Sequence, residues 1–164
     1  MLAFTKKGFW KRQNFILFVL LVATFWASLL DILSSIGNSY IVVWSYELRD
    51  VLNYGYLAVQ NIMPYLFCLY IVFLIDLDKK TKRNRLFHIG LAIPYTIDVV
   101  LLILNPFLRE VFYYDANRVY THDWGMTVLY VNALLYMVFN YYLMMRYGKE
   151  VRLVKKATVY IFLT

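Results

Sequence analysis

The chain has 164 residues, a formal net charge of +7 and a mean hydropathy of +0.57, with 62% hydrophobic, 20% aromatic and only 16% charged residues. A soluble domain carries about a quarter charged and just under half apolar residues, so this composition excludes a water-soluble globule, whose surface would have to be polar. The basic excess does not indicate a nucleic-acid binder, because the charges cluster at the ends of apolar runs and do not line one face.

The predicted architecture is an all-α integral membrane bundle. Four runs are long enough to cross a hydrocarbon core about 30 Å thick, which takes roughly 20 residues. The first, residues 14–34, reads NFILFVLLVATFWASLLDILS. It follows Lys6, Lys7, Lys11 and Arg12, but its apolar stretch is longer than that of a signal peptide and no small-x-small cleavage site follows, so it reads as an anchor. An aromatic connection over residues 35–50 places Tyr40, Trp44 and Tyr46 where the membrane–water interface is expected. The second span, 51–75, contains NIMPYLFCLYIVFLI, with the single cysteine, Cys68, as a small apolar residue inside it. The third, 86–104, ends where Asn105-Pro106 is expected to stop the helix.

Next come Val111-Phe112-Tyr113-Tyr114, a turn-forming Asp115-Ala116-Asn117-Arg118, and Val119-Tyr120-Thr121. Aromatic and β-branched residues around a turn predict either a short β-hairpin over 111–121 or an aromatic loop on the headgroups. The fourth span covers 124–145. A fifth apolar run, ATVYIFLT, begins at Ala157 and stops after eight residues, which is too short to span; the expectation is a piece of a longer protein.

Orientation follows from Lys and Arg. Fourteen of the 17 basic residues fall in the N-terminal segment, the loop after span two and the segment after span four; only Arg49, Arg109 and Arg118 fall on the other side. This bias places the N-terminus in the cytoplasm of a multi-pass plasma-membrane protein.

Polar residues inside the spans are the candidate functional positions, since an ionisable group in hydrocarbon costs at least about 2.5–3.5 kcal/mol at the bilayer centre. Asp31 and Asp98 stand out, with Gln60, Asn61 and Asn132, all between the midplane and the outer surface. Thr24, Ser28, Asp31 and Ser35 share one helix face, as do Asn53, Tyr56 and Gln60, and Asn132, Tyr136 and Asn140. Pro64 and Pro94 free backbone carbonyls at similar depth. Two readings stay open: an outward-facing polar pocket for an extracellular or membrane-derived ligand, and interhelical hydrogen bonds that hold the bundle together. Neither His88 nor His122 has a second ligand at metal spacing, and no phosphate loop or nucleophile–base motif is present. No catalytic residue, metal or cofactor is expected.

The stretch LNPFLREVFYYDANRVYTHDWG, with LLDILSS in span one and NIMPYLFCLYIVFL in span two, resembles the membrane sensor region that precedes GGDEF domains in bacterial diguanylate cyclases. It is also similar to the seven-helix region ahead of some histidine kinases. The resemblance covers about residues 10–164. The matching outer-loop positions are Asn105, Pro106, Tyr113, Tyr114, Asp115 and Tyr120. A His/Arg-Gly pair usual before span four is replaced here by His122-Asp123-Trp124-Gly125. The resemblance implies a sensory, non-enzymatic region whose parent protein makes cyclic di-GMP and dimerises. The alternatives from the residues alone are part of a transporter or channel, or a structural membrane subunit.

Overall fold

A computed structural model describes residues 12–75 and 84–147. Its elements are α1 (Arg12–Ser39), α2 (Tyr46–Leu74), α3 (Asn84–Leu108), β1 (Phe112–Tyr114), β2 (Tyr120–His122) and α4 (Trp124–Tyr147). All four helices are long and apolar enough to cross a membrane, and the fold is an all-α membrane bundle with one small hairpin. The fifth apolar run from Ala157 and most of the basic clusters lie outside the described residues.

Helix α2 is the centre. It packs along α1 most extensively and also meets α3 and α4, while α3 packs on α4; α1 and α4 make little contact with one another. Two apolar cores follow from this arrangement. One joins Leu20, Phe67, Cys68, Ile71, Tyr136 and Leu143 in the half away from the hairpin. The other joins Leu57, Val111, Phe112, Met126 and Leu129 beneath the hairpin.

Helix ends depart from the sequence reading in two places. The connection expected over 35–50 shrinks to Tyr40–Ser45, because α1 runs on to Ser39 and α2 starts at Tyr46. Hydropathy marks where lipid ends, not where a helix ends: Ser45 caps α2 by accepting from the Leu48 N–H at 3.3 Å, and Glu47 in the first turn complements the helix dipole. Likewise α3 does not stop at Asn105-Pro106 but continues to Leu108. A proline in the last turn removes only one ladder donor, and the turn is closed around it by Arg109 N donating to the Asn105 carbonyl at 2.8 Å. Arg109 then takes a left-handed conformation, φ 59°, where helices more often place glycine.

Residues 112–122 form the hairpin, antiparallel, with Phe112 opposite His122 and Tyr114 opposite Tyr120. Asp115 organises the turn: its Oδ1 accepts from the N–H groups of Asn117 and Val119, both at 2.8 Å. Arg118 closes it in the left-handed region, φ 63°. The Phe112 ring stacks on Tyr120 at 5.4 Å and tilts against Tyr54 of α2 at 4.8 Å, which seats the hairpin on the bundle.

Candidate functional sites at the hairpin end and in the bundle

The polar residues picked from the sequence separate into three places. The first is the α3–α4 seam. Asp98 and Asn132 are 2% and 7% exposed, and Asn132 Nδ2 donates to Asp98 Oδ1 at 2.6 Å and to the Pro94 carbonyl at 3.3 Å. One turn further in, the Tyr136 hydroxyl accepts from Tyr95 N–H at 3.2 Å and donates to the Leu91 carbonyl at 2.6 Å. Those two backbone groups are a ladder pair in the turn that Pro94 disturbs, so α4 supplies side-chain partners where the proline loosens α3.

The second place is a cavity of about 240 Å³ at the hairpin end. Asp31, Ser34, Ser35 and Asn38 line it from α1, Asn53 and Tyr56 from α2, Tyr120 and His122 from β2, and Met126 and Tyr130 from α4. Tyr56 lies close to both Asp31 and Gln60. The same-face spacing of Asp31 with Ser35 and of Asn53 with Tyr56 thus places both pairs on one polar wall.

The third is a larger cavity, about 430 Å³, between α1, α2 and α4. Gln60 and Asn61 line it from α2 and Asn140 from α4, among otherwise mostly apolar side chains. Asn61 Nδ2 is turned onto its own helix, donating to the Leu57 carbonyl at 2.7 Å. The five candidates are therefore not one pocket: Asp31 faces one cavity, Gln60 and Asn61 the other, and Asp98 with Asn132 face each other.

The loop motif residues have definable tasks. Asn105 is 2% exposed and uses its whole amide. Its Oδ1 accepts from Val111 N at 2.8 Å and Phe112 N at 3.2 Å, and its Nδ2 donates to the Phe112 carbonyl and the Tyr54 hydroxyl, both at 3.0 Å. Two acceptor and two donor positions are the full capacity of the group. Tyr114 receives a hydrogen bond from Asn53 Nδ2 at 2.8 Å and packs on Tyr46 at 4.7 Å. Burial pushes the Tyr114 hydroxyl up to about 12, against the smaller opposing effect of the Asn53 hydrogen bond. Tyr120 is raised still further, again by burial first.

Sequence reasoning missed Arg49. Counted as a loop charge, it lies in the first turn of α2 and is 1% exposed. Its Nη2 donates to the Arg118 carbonyl at 2.8 Å, its Nε reaches Asn38 Oδ1 at 3.4 Å, and its guanidinium stands 4.5 Å from the Tyr114 ring centroid. Asn38 in turn donates to Asn53 Oδ1 at 3.1 Å. This buried cation is held by neutral acceptors and a ring face, and it ties α1, α2 and the hairpin together. The signal was available: Ser45 with an acid two residues on is a helix start, and it places Arg49 on the face of Asn53, four residues ahead.

No known protein family, characterised protein or solved structure matches the chain.

Proposed function

We propose that this chain is the membrane-embedded input region of a bacterial signalling protein, with the hairpin end outside the cell, governing a diguanylate cyclase domain in its parent protein. The observation that carries the reading is the hairpin-end cavity. Polar side chains of α1, α2 and β2 line it together with Met126 and Tyr130 of α4, so a ligand held there touches three of the four helices and the hairpin. Asp31 supplies a carboxylate, Ser34 and Ser35 hydroxyls, and His122 an imidazole, a set suited to a small polar or cationic solute. Helix α4 carries any displacement across the bilayer, since its other end, at Arg146 and Tyr147, leads into the basic segment of residues 149–156. The clustering of basic residues favours that end as cytoplasmic, and the resemblance of the outer-loop sequence to sensor regions ahead of GGDEF domains supplies the output.

The test is cyclic di-GMP produced by the full-length protein in membranes. Ser35→Trp, which fills the cavity from its α1 wall, is expected to change basal output without reducing the amount of folded protein, and Asp31→Ala to do so more weakly. Continuing the coding sequence past Thr164 is expected to reveal a GGDEF domain. Unchanged output in both variants, or a reading frame that continues into further spans with no regulatory domain, overturns the proposal.

A further inference from the structure

A further cavity, about 230 Å³, lies between α2, the end of α3 and strand β1. It shares no lining residue with the cavity that holds Asp31, and its chemistry does not depend on the signalling reading. Tyr46, Asp50 and Tyr54 line it from α2 at four-residue spacing, so the carboxylate stands on one helix face with a phenol ring a turn to either side. Both rings are seated on the hairpin. Tyr46 packs on Tyr114 at 4.7 Å and Tyr54 on Phe112 at 4.8 Å, tilted by 59° and 58°. Hydrogen bonds hold two of the phenols, Tyr54 through Asn105 Nδ2 at 3.0 Å and Tyr114 through Asn53 Nδ2 at 2.8 Å. Neither Tyr46 nor Tyr54 is buried by these contacts, so ring surface remains open beside Asp50.

Asp50 is half-buried, and its side chain has no hydrogen bond or ion pair among the described residues. Arg49 and Glu47 act on it with opposite sign, and the Arg49 guanidinium is already engaged by the Arg118 carbonyl, Asn38 and the Tyr114 ring. Arg109 borders the cavity from the end of α3 but is exposed and does not pair with Asp50. Burial, and then the charge of Asp50, raise the Tyr114 hydroxyl, so the carboxylate acts across the cavity toward the hairpin. We infer that the cavity binds an alkylated ammonium group, held by the Asp50 carboxylate and the rings of Tyr46 and Tyr54. Ring faces carry negative potential and recognise such cations, which are weakly hydrated. A calcium ion takes about six to eight oxygen ligands, which one carboxylate does not supply, and a neutral solute leaves the carboxylate without a partner. The same group occurs on dissolved solutes and on phosphatidylcholine, whose headgroups lie at the level of these helix ends.

The experiment measures equilibrium binding of radiolabelled choline to the 164-residue chain in dodecyl maltoside, a detergent without an ammonium group. Choline is expected to bind saturably and to be displaced by tetramethylammonium, but not by potassium or by dimethylbutanol, its neutral carbon isostere. Asp50→Asn removes a charge and no hydrogen bond, so thermal stability is expected to hold while choline affinity falls about tenfold. Tyr46→Leu is expected to weaken choline about threefold, and Asp31→Asn, in the other cavity, to leave it unchanged. In nanodiscs, choline binding lost in phosphatidylcholine but kept in phosphatidylglycerol assigns the site to a lipid headgroup, and binding kept in both assigns it to a solute. No saturable binding in detergent, displacement by dimethylbutanol as strong as by tetramethylammonium, or binding that survives Asp50→Asn overturns the proposal. Binding lost in Asp31→Asn and kept in Asp50→Asn also overturns it, and moves the ammonium to the hairpin-end cavity.

Discussion

Asp98 and Asn132 form a hydrogen bond of 2.6 Å across the α3–α4 seam, both side chains being almost fully enclosed. Asn132 spends its amide on this bond and on the Pro94 carbonyl, so the pair is arranged as a fastening between helices. Asp98→Asn keeps an acceptor of the same shape, and thermal stability in detergent is expected to change little. Asp98→Leu is expected to cost more, because it strands the Asn132 donor. In a double-mutant cycle with Asn132→Leu the coupling is expected near 1 kcal/mol, as for interhelical hydrogen bonds in membranes. A coupling of zero would remove the fastening role.

Topology is open to a direct check. Reporter fusions after Lys80 and Lys149 are expected on the cytoplasmic side, and fusions after Arg49 and Asn117 on the other, from the distribution of basic residues. A cytoplasmic signal from the Asn117 fusion would reverse the orientation and place the hairpin-end cavity inside the cell.

The four long apolar helices, and the hairpin as one of two readings of the loop, were legible in the sequence because each rests on a local pattern: apolar runs of membrane length, and aromatic residues flanking Asp115–Arg118. What was not legible depends on rotation of one helix against another. Asn132 and Asn140 share a face of α4 by spacing, yet Asn132 meets α3 and Asn140 borders the cavity between α1, α2 and α4. Gln60 and Asp98 lie at similar depth, but nothing in either span alone says that α2 turns Gln60 toward α4 while α3 turns Asp98 toward Asn132. Arg49 escaped for a different reason: charge was taken as a mark of solvent, whereas a guanidinium can be buried once an amide, a carbonyl and a ring face surround it.

Alkaline pH should loosen the hairpin. The Tyr114 hydroxyl ordinarily titrates near 10.0 and is raised to about 12 in the folded chain, so the fold favours the neutral phenol. Stability from this group is fully present below pH 10 and is lost as pH rises through about 12. Thermal stability in detergent is therefore expected to be flat toward pH 10 and to fall beyond it. Tyr114→Phe should lower stability at pH 7, through the lost Asn53 bond, and flatten the alkaline decline; Tyr120, also raised, keeps some of the slope. An unchanged slope would show that Tyr114 is not the group responsible.

Gly125 marks the start of α4 and is needed there for space. Its N–H donates to the Glu110 carbonyl at 2.8 Å, and a Cβ at this position would meet the Glu110 oxygen at 2.6 Å and its carbonyl carbon at 2.9 Å. Both are backbone atoms, with no side chain to swing away. Gly125→Ala is expected to destabilise by about 1–3 kcal/mol, the usual range for overpacking, although alanine is the better helix former. The nearby Thr127→Ala, on the same helix, serves as the control. A Gly125→Ala variant as stable as the parent would mean that α4 can move away from the 109–111 segment at no cost.

Arg49 is where the hairpin, α1 and α2 meet, and its substitutions separate charge from geometry. Lysine keeps the charge but offers one compact ammonium in place of a planar fork. It cannot reach the Arg118 carbonyl, the Asn38 amide and the Tyr114 ring from one position as the guanidinium does. Arg49→Lys is therefore expected to lose about 1–3 kcal/mol, the cost of leaving buried polar groups without partners, and Arg49→Met to lose a similar amount while relieving the buried charge. The two variants should also share a consequence at a distance: with Arg118 released, amide exchange in the turn Asp115–Arg118 should quicken, while exchange along the α3–α4 seam at Asp98 stays slow. If Arg49→Lys matches the parent in both stability and turn protection, the guanidinium geometry is not what holds the hairpin. If the loss spreads equally to the seam, Arg49 supports the bundle as a whole and has no special hold on its hairpin end.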